Sequence, residues 1–287
     1  MRDRLDLTPY VFVAAALVYL LVFMGVPIGT GVRLGFTETD TLDPTGGTYI
    51  GWDNYAEALR SSAFGHTLWA TLVYTAASVA VSMALGLAAA LAVNGAFRGR
   101  AVARAVLVAP WAAPTIAVTL IFAWMFNNSN GVFNAMSGSP VGWLTDPDWA
   151  MASVVAVTVW KLFPFCMLVV LAALQGVPEE LYEAARVDGA DPLNVFKQVT
   201  VPAIAPTLRV LALLMTIWSF RRFELIWLLT GGGPADTTNT VVIDVFREAF
   251  TSSRLGMSAA IGSIGLALSL MVTLGYLALD RRAREDR

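Results

Sequence analysis

The chain has 287 residues, of which 57% are hydrophobic and only 14% charged, with a formal net charge of −2. So apolar a composition, with its charges gathered into a few short stretches, excludes a disordered or ordinary globular chain and places the protein in a membrane, where no nucleic-acid partner is expected. Cys166 as the single cysteine excludes an internal disulfide, and His66 as the single histidine leaves no zinc set or Cys-His pair.

Crossing a hydrocarbon core of about 30 Å takes roughly 20 mostly apolar residues, and six segments meet that requirement. The first, 10–32, is too long for a signal peptide and lacks a small-residue cleavage site after it, so it reads as a retained helix. A loop containing Ile50-Gly51-Trp52-Asp53-Asn54-Tyr55 leads to the second span, 67–93. Its Gly86, Ala88, Ala89, Ala90 and Ala92 form a surface that allows close helix approach. The third span, 104–126, ends at Asn127 and Asn128, which either cap helices or touch a docked protein, as does Trp143 in the next loop. The fourth, 150–174, carries Trp160, Lys161 and Pro164 near its middle.

A polar island, 178–202, separates the fourth and fifth spans. Pro178 suits the first position of a helix, and Glu179 and Glu180 suit its positive end, predicting a helix from Pro178 to Val187. Leu181, Ala184 and Ala185 share one face, and Glu179, Glu183 and Arg186 pair or face water. Asp188-Gly189 supplies a stop, and Asp191-Pro192 a new cap and first residue. The second helix is expected to end before Pro202, with Leu193, Phe196 and Val199 three apart along an apolar flank that needs a partner.

The fifth span, 205–229, contains Trp218, Arg221, Arg222 and Glu224. Leu229-Thr230-Gly231-Gly232-Gly233-Pro234 and Asn239-Thr240 open the next loop as a tight turn, and the sixth span, 258–279, carries Gly262 and Gly265. A charge at membrane depth costs about 2.5 to 3.5 kcal/mol even on lenient scales, so Lys161, Arg221, Arg222 and Glu224 should not face lipid unpaired. Two readings stand beside each other. Either Glu224 pairs with Arg221 or Lys161 as a structural ion pair, or Trp160, Lys161, Trp218, Arg221, Arg222 and Glu224 line a solute path, with indole faces on sugar rings and charges on hydroxyls or an acidic group.

Orientation follows from Lys and Arg in the loops. One set of flanks holds Arg2, Arg4, Arg98, Arg100, Arg104, Arg186, Lys197, Arg209, Arg281, Arg282, Arg284 and Arg287, against Arg33, Arg60, Arg247 and Arg254 in the other. Both termini and the 178–202 loop are therefore expected in the cytoplasm. A nucleotide-binding P-loop needs Gly-Lys followed by Ser or Thr, yet Lys161 precedes Leu162 and Lys197 precedes Gln198. ATP is not bound that way here.

Glu183-Ala184-Ala185, then Asp188-Gly189-Ala190, Phe196 and Pro202, resembles the cytoplasmic loop of the membrane subunits of ABC importers. The likeness covers roughly residues 10 to 280, because the loops around Gly51-Trp52 and Gly231-Gly232-Gly233-Pro234 are similar to segments of the sugar-importing branch, the maltose and glycerol-phosphate type. The triple glycine looks more like the first than the second of the two unlike permeases in such importers.

The resemblance implies an all-α integral membrane subunit of six transmembrane helices forming one permease domain, with a cytoplasmic loop of two coupling helices between helices 4 and 5. It implies no catalysis and no cofactor in this chain, ATP and Mg being bound by two partner ATPase subunits. A second, related permease, an extracytoplasmic solute-binding protein and membrane lipid are the other partners, in a bacterial or archaeal cell (inner) membrane. Glu183, Ala184, Ala185, Asp188, Gly189, Ala190, Phe196 and Pro202 would dock the ATPase. Where the family commonly has asparagine in its fifth span this chain has Arg221-Arg222, which points away from a neutral sugar and toward a phosphate or carboxylate. The alternative is an ion-gradient-driven secondary transporter or channel with Lys161, Arg222 and Glu224 as its relay. An intramembrane enzyme has no supporting arrangement of residues.

Overall fold

A computed structural model describes the backbone of residues 8–285 and the side chains of 13–278 and of Asp280. Arg2, Arg4, Arg281, Arg282, Arg284 and Arg287, half of the basic flank that sets the expected orientation, have side chains outside that range. In chain order the helices are α1 (Thr8–Leu20), α2 (Val26–Leu34), α3 (Asp53–Arg60), α4 (Ser62–Asn94), α5 (Arg100–Ala112), α6 (Thr115–Met125) and α7 (Val132–Ser137). There follow α8 (Pro147–Gln175), α9 (Glu179–Val187), α10 (Pro192–Val195), α11 (Val201–Phe220), α12 (Glu224–Thr230), α13 (Val241–Phe246) and α14 (Leu255–Glu285). Single π-helical turns join α1 to α2, α10 to α11, and α13 to the segment before α14. The strands β1 (Thr37–Glu38) and β2 (Thr48–Tyr49) form one small antiparallel ladder, Thr37 opposite Tyr49.

Among the described residues five helices are long and apolar enough to cross a membrane, or six if the bent pair α5 and α6 is one span. The third span, expected as one helix over 104–126, is thus corrected. It breaks between Ala112 and Thr115, and its halves meet at 90°. The fifth, expected over 205–229, begins earlier and stops at Phe220, with α12 following after a break. The second helix of the 178–202 loop does not end before Pro202. It continues through a π turn at Phe196–Thr200, where Val201 N–H donates to the Phe196 carbonyl, and that wider turn takes in a proline lacking an N–H.

The contacts group into two compact units. One comprises 1–64 and 244–267. Asn54 Nδ2 donates to the carbonyls of Gly35 (3.0 Å) and Thr37 (2.9 Å), and the Phe36, Trp52 and Tyr55 rings pack within 5.2 Å of one another. The stretch from Asp53, expected as part of a turn-rich loop, is helical. Arg254 bridges Glu57 (2.7 Å) and Glu248 (2.8 Å), and the two carboxylates raise its pKa further.

The second unit comprises 65–243 and 268–287, with α8 at its centre. Asp146 accepts from Asp148 N–H at 2.9 Å and Pro147 takes the first turn, so the start of α8 is capped as its sequence dictates. Val154, Val157, Cys166, Met167 and Val170 on α8 are fully buried. Gly86 of α4 packs on α8 so closely that a Cβ there would lie 2.4 Å from Cys166 Cβ and 2.9 Å from the Met167 nitrogen. Small residues in the second span, expected to serve helix approach, do so here within the chain itself. Arg209 of α11 pairs with Asp280 of α14 at 3.3 Å, and the loop after α12 is pinned to α4 where Thr71 Oγ1 accepts from Val241 N–H at 2.9 Å.

Gly86→Val should therefore lower the stability of the purified subunit by about 1–3 kcal/mol through overpacking. Gly29→Ala, with no atom within 4 Å of the added carbon, is the neutral comparison. Equal thermal unfolding of both variants would contradict the close contact.

Candidate translocation site and coupling loop

The break in the third span has a local cause. Pro114 cannot donate and pushes Ala113 out of the helical region, to ψ 142°, while Pro110 already weakens the preceding turn. The turn removes the N–H groups that would have bonded the last carbonyls of α5. Lys161, halfway along α8 and 6% exposed, supplies the missing donors. Its Nζ donates to the carbonyls of Ala113 at 2.6 Å and Trp111 at 3.4 Å. A cation at the negative end of a helix, in a medium where unpaired carbonyls are costly, stabilises the break.

On the far side of the turn, α6 opens at Thr115, its first ladder bond running from Val118 N–H to the Pro114 carbonyl. The first amides of α6 are left without an intrahelical partner, as at any helix start. The fifth span breaks opposite. Its helix ends at Phe220, Arg221 and Arg222 occupy the gap, and Glu224 begins α12. The two breaks enclose a cavity of about 340 Å³ lined by Thr115, Trp218, Arg221, Arg222, Phe223 and Glu224. Aromatic contacts brace it from behind, as Trp218 lies 4.9 Å from Phe165 and Phe165 stacks on Trp111 at 5.9 Å.

The structure thus brings together four of the six residues expected along a solute path, namely Trp218, Arg221, Arg222 and Glu224. Lys161 lies beneath the bend. Trp160 faces elsewhere, edge-on to Phe122 at 5.2 Å, on an apolar groove between α4 and α8. Neither expected ion pair forms, because among the described residues no carboxylate lies within 4 Å of Lys161, Arg221 or Arg222. Among the described residues the buried Arg222 Nε has no hydrogen-bond partner. Thr115 and Phe223 were not anticipated. The pair Pro110 and Pro114 was the sequence signal for Thr115, since a proline-bounded turn there puts a helix start at mid-span. Asn127 acts as a local cap, its Oδ1 accepting from Ser129 and Asn130 N–H at 3.0 Å, and Trp143 Nε1 donates to Asn134 at 2.7 Å.

In the 178–202 loop, α9 begins one residue later than expected, with Pro178 as its cap. Its end is a Schellman turn: Ala190 N–H donates to Ala185 and Gly189 N–H to Arg186, with Gly189 at φ +76°. Asp191 caps α10 through Asn194 N–H at 2.8 Å. Arg186 pairs with Glu179 at 2.8 Å on the surface, a contact worth little to stability. Leu181, Val187 and Leu193 are 48%, 87% and 59% exposed, so an apolar face is left uncovered by the chain's own packing. Glu183, Ala184, Asp188, Gly189 and Pro202 are exposed and Ala185, Ala190 and Phe196 half-buried.

Long apolar helices broken at mid-span around a polar cavity define a multi-pass membrane transport component. Residues 82–285 match the family of binding-protein-dependent transport system inner membrane components, and the chain belongs to that family. It is 32% identical over 288 residues to the sulfoquinovosyl glycerol transport system permease protein SmoG of Agrobacterium fabrum, covering 98% of this chain and 92% of that protein. It is 39% identical over 165 residues to the trehalose/maltose transport system permease protein MalF of Thermococcus litoralis, 56% of each chain. Its fold is similar to that of a chain in the crystal structure of a bacterial ABC transporter involved in the import of the acidic polysaccharide alginate, with a TM-score of 0.83, 23% identity and 96% of each chain covered. The protein is accordingly a non-catalytic permease subunit of an ABC importer in the inner membrane, and the family disfavours a secondary transporter.

Lys161→Met should leave both carbonyls unpaired, at about 1–3 kcal/mol each, and lower the melting temperature of the purified complex. Lys161→Arg, which keeps a donor and the charge, should recover part of the loss. Wild-type melting of Lys161→Met would show that the bend stands without it.

Proposed function

We infer that this chain carries a sugar derivative bearing an acidic group. The observation behind this reading is the cavity between the two span breaks, where Arg221, Arg222 and the positive end of α6 meet two aromatic rings with Glu224 as the sole carboxylate in the lining. Aromatic faces suit sugar rings, and an Arg pair suits a carboxylate, sulfonate or phosphate bidentately. A relative named for sulfoquinovosyl glycerol supports the same direction.

In this reading the permease works beside a second, related permease, as the first of two unlike subunits, and beside two ATPase subunits that hold ATP and Mg. An extracytoplasmic binding protein delivers the solute. Both termini and the 178–202 loop lie in the cytoplasm in this reading, which the surplus of basic residues in one set of flanks supports. There the exposed faces of Leu181, Val187 and Leu193, with the Glu183 to Ala190 stretch, Phe196 and Pro202, dock the ATPase. Closure of the motor moves the loop, and the single permease domain alternates its access around the cavity.

Two outcomes test it. Uptake by the reconstituted complex should be competed by uronic and sulfonated sugars over neutral disaccharides, and Arg222→Gln should abolish that preference; preference for a neutral disaccharide would sink the anionic assignment. Gly189→Val strains a left-handed position, at about 1–2 kcal/mol, in open space with no clash. It should uncouple ATP hydrolysis from uptake while leaving the subunit in the membrane, and unchanged transport would count heavily against the docking role.

A further inference from the structure

α6 and α12 run side by side in the same direction. Thr115 and Glu224, at their starts, share the cavity between the span breaks, and their far ends share a second cavity of about 550 Å³. The two cavities differ in chemistry. The second has no charged side chain in its lining and offers Trp227, Asn127, Asn128, Thr145 and the residues that end α12, Leu228 and Leu229. The Leu228 and Leu229 carbonyls accept no hydrogen bond among the described residues, because the chain leaves the helix at Gly231. Asn127 uses its Oδ1 on its own turn and keeps its Nδ2 to donate, whereas Asn128 spends Nδ2 on Thr145 Oγ1 at 2.8 Å and keeps its oxygen. Donors and acceptors thus surround an indole ring in a neutral setting, as the hydroxyls and faces of an uncharged sugar ring require.

One helix joins the two. α12 has seven residues, a length of about 10 Å. Phe223 in the first cavity stacks on Trp227 in the second, ring centroids 5.7 Å apart and planes 16° from parallel. We propose that the outer cavity is a second carbohydrate subsite, occupied together with the first by a solute at least two units long, its acidic end on Arg221 and Arg222 and a neutral ring on Trp227. This rests on the reading of the inner cavity as the anion site. The order of the two follows from the electrostatics: Arg221, Arg222 and the start of α6 face the inner cavity, while the outer has no charged side chain and the unpaired carbonyls of Leu228 and Leu229, so an anion is drawn inward and hydroxyl donors outward.

The test is uptake by the complete reconstituted importer of a panel of glucuronate, an aldobiouronic acid and an aldotriouronic acid, each with one uronate unit and its remaining rings neutral, with galactose and lactose as neutral members. In Trp227→Ala, uptake of the two- and three-unit acids should fall about tenfold more than that of the single acid, the worth of one good ring contact. Asn127→Ala, an exposed position, should show the same length dependence more weakly and guards against misfolding of the first variant. Arg222→Gln should reduce all acids alike. Equal loss across chain lengths in both outer variants would mean a role in receiving the binding protein and would overturn the subsite. Carriage of single-unit solutes alone by the wild type would overturn it too. Refusal of the acids with carriage of lactose would overturn the anionic reading of the inner cavity instead, and refusal of the whole panel both that reading and the subsite.

Discussion

A charged amine buried halfway along α8 holds the geometry of the inner cavity. The carbonyls of Trp111 and Ala113 lose their helical partners where the third span turns through 90°, and in a bilayer such groups find no water to replace them. Lys161 meets both, and the exchange is mutual, since a lysine at that depth would itself be costly without acceptors. Two elements that would each be unfavourable alone become compatible together. The bend then aims Thr115 at the cavity, and the chain of Trp111, Phe165 and Trp218 carries the same fixation to the edge of the fifth span.

Lys161 also settles which end of the broken span the cavity meets. By covering the carbonyl end of α5 it leaves the amide end of α6 as the unbalanced half of the break, beside Arg221 and Arg222. Positive character therefore accumulates there from one helix end and two guanidinium groups, with Glu224 as a partial counterweight that contacts none of them within ion-pair distance. Breaking helices around a cavity places backbone dipoles where side-chain charge alone would be expensive to bury.

The 178–202 loop obeys different physics. It is held by local bonds, the caps at Asp191 and the Schellman turn at Gly189, and it leaves apolar surface uncovered at Leu181, Val187 and Leu193. The continuous run from α10 through the π turn into α11 joins this loop directly to the helix that ends at the cavity.

Sequence by itself determined the apolar spans, the cap of α10, the stop at Gly189 and the resemblance of the 178–202 loop, because each depends on hydropathy or on bonds within a few residues. It also singled out Lys161, Arg221, Arg222 and Glu224, since burying a charge is costly whatever surrounds it. Only the tertiary structure decided what those charges touch. Lys161 lies 48 residues from the carbonyl it bonds most closely, and no spacing along the chain reports that meeting. The same holds for Thr115 and Phe223, ordinary residues whose place at the cavity comes from two breaks facing each other. Trp160 shows the converse: adjacent in sequence to Lys161, it faces a different surface, because neighbours on a helix point about 100° apart.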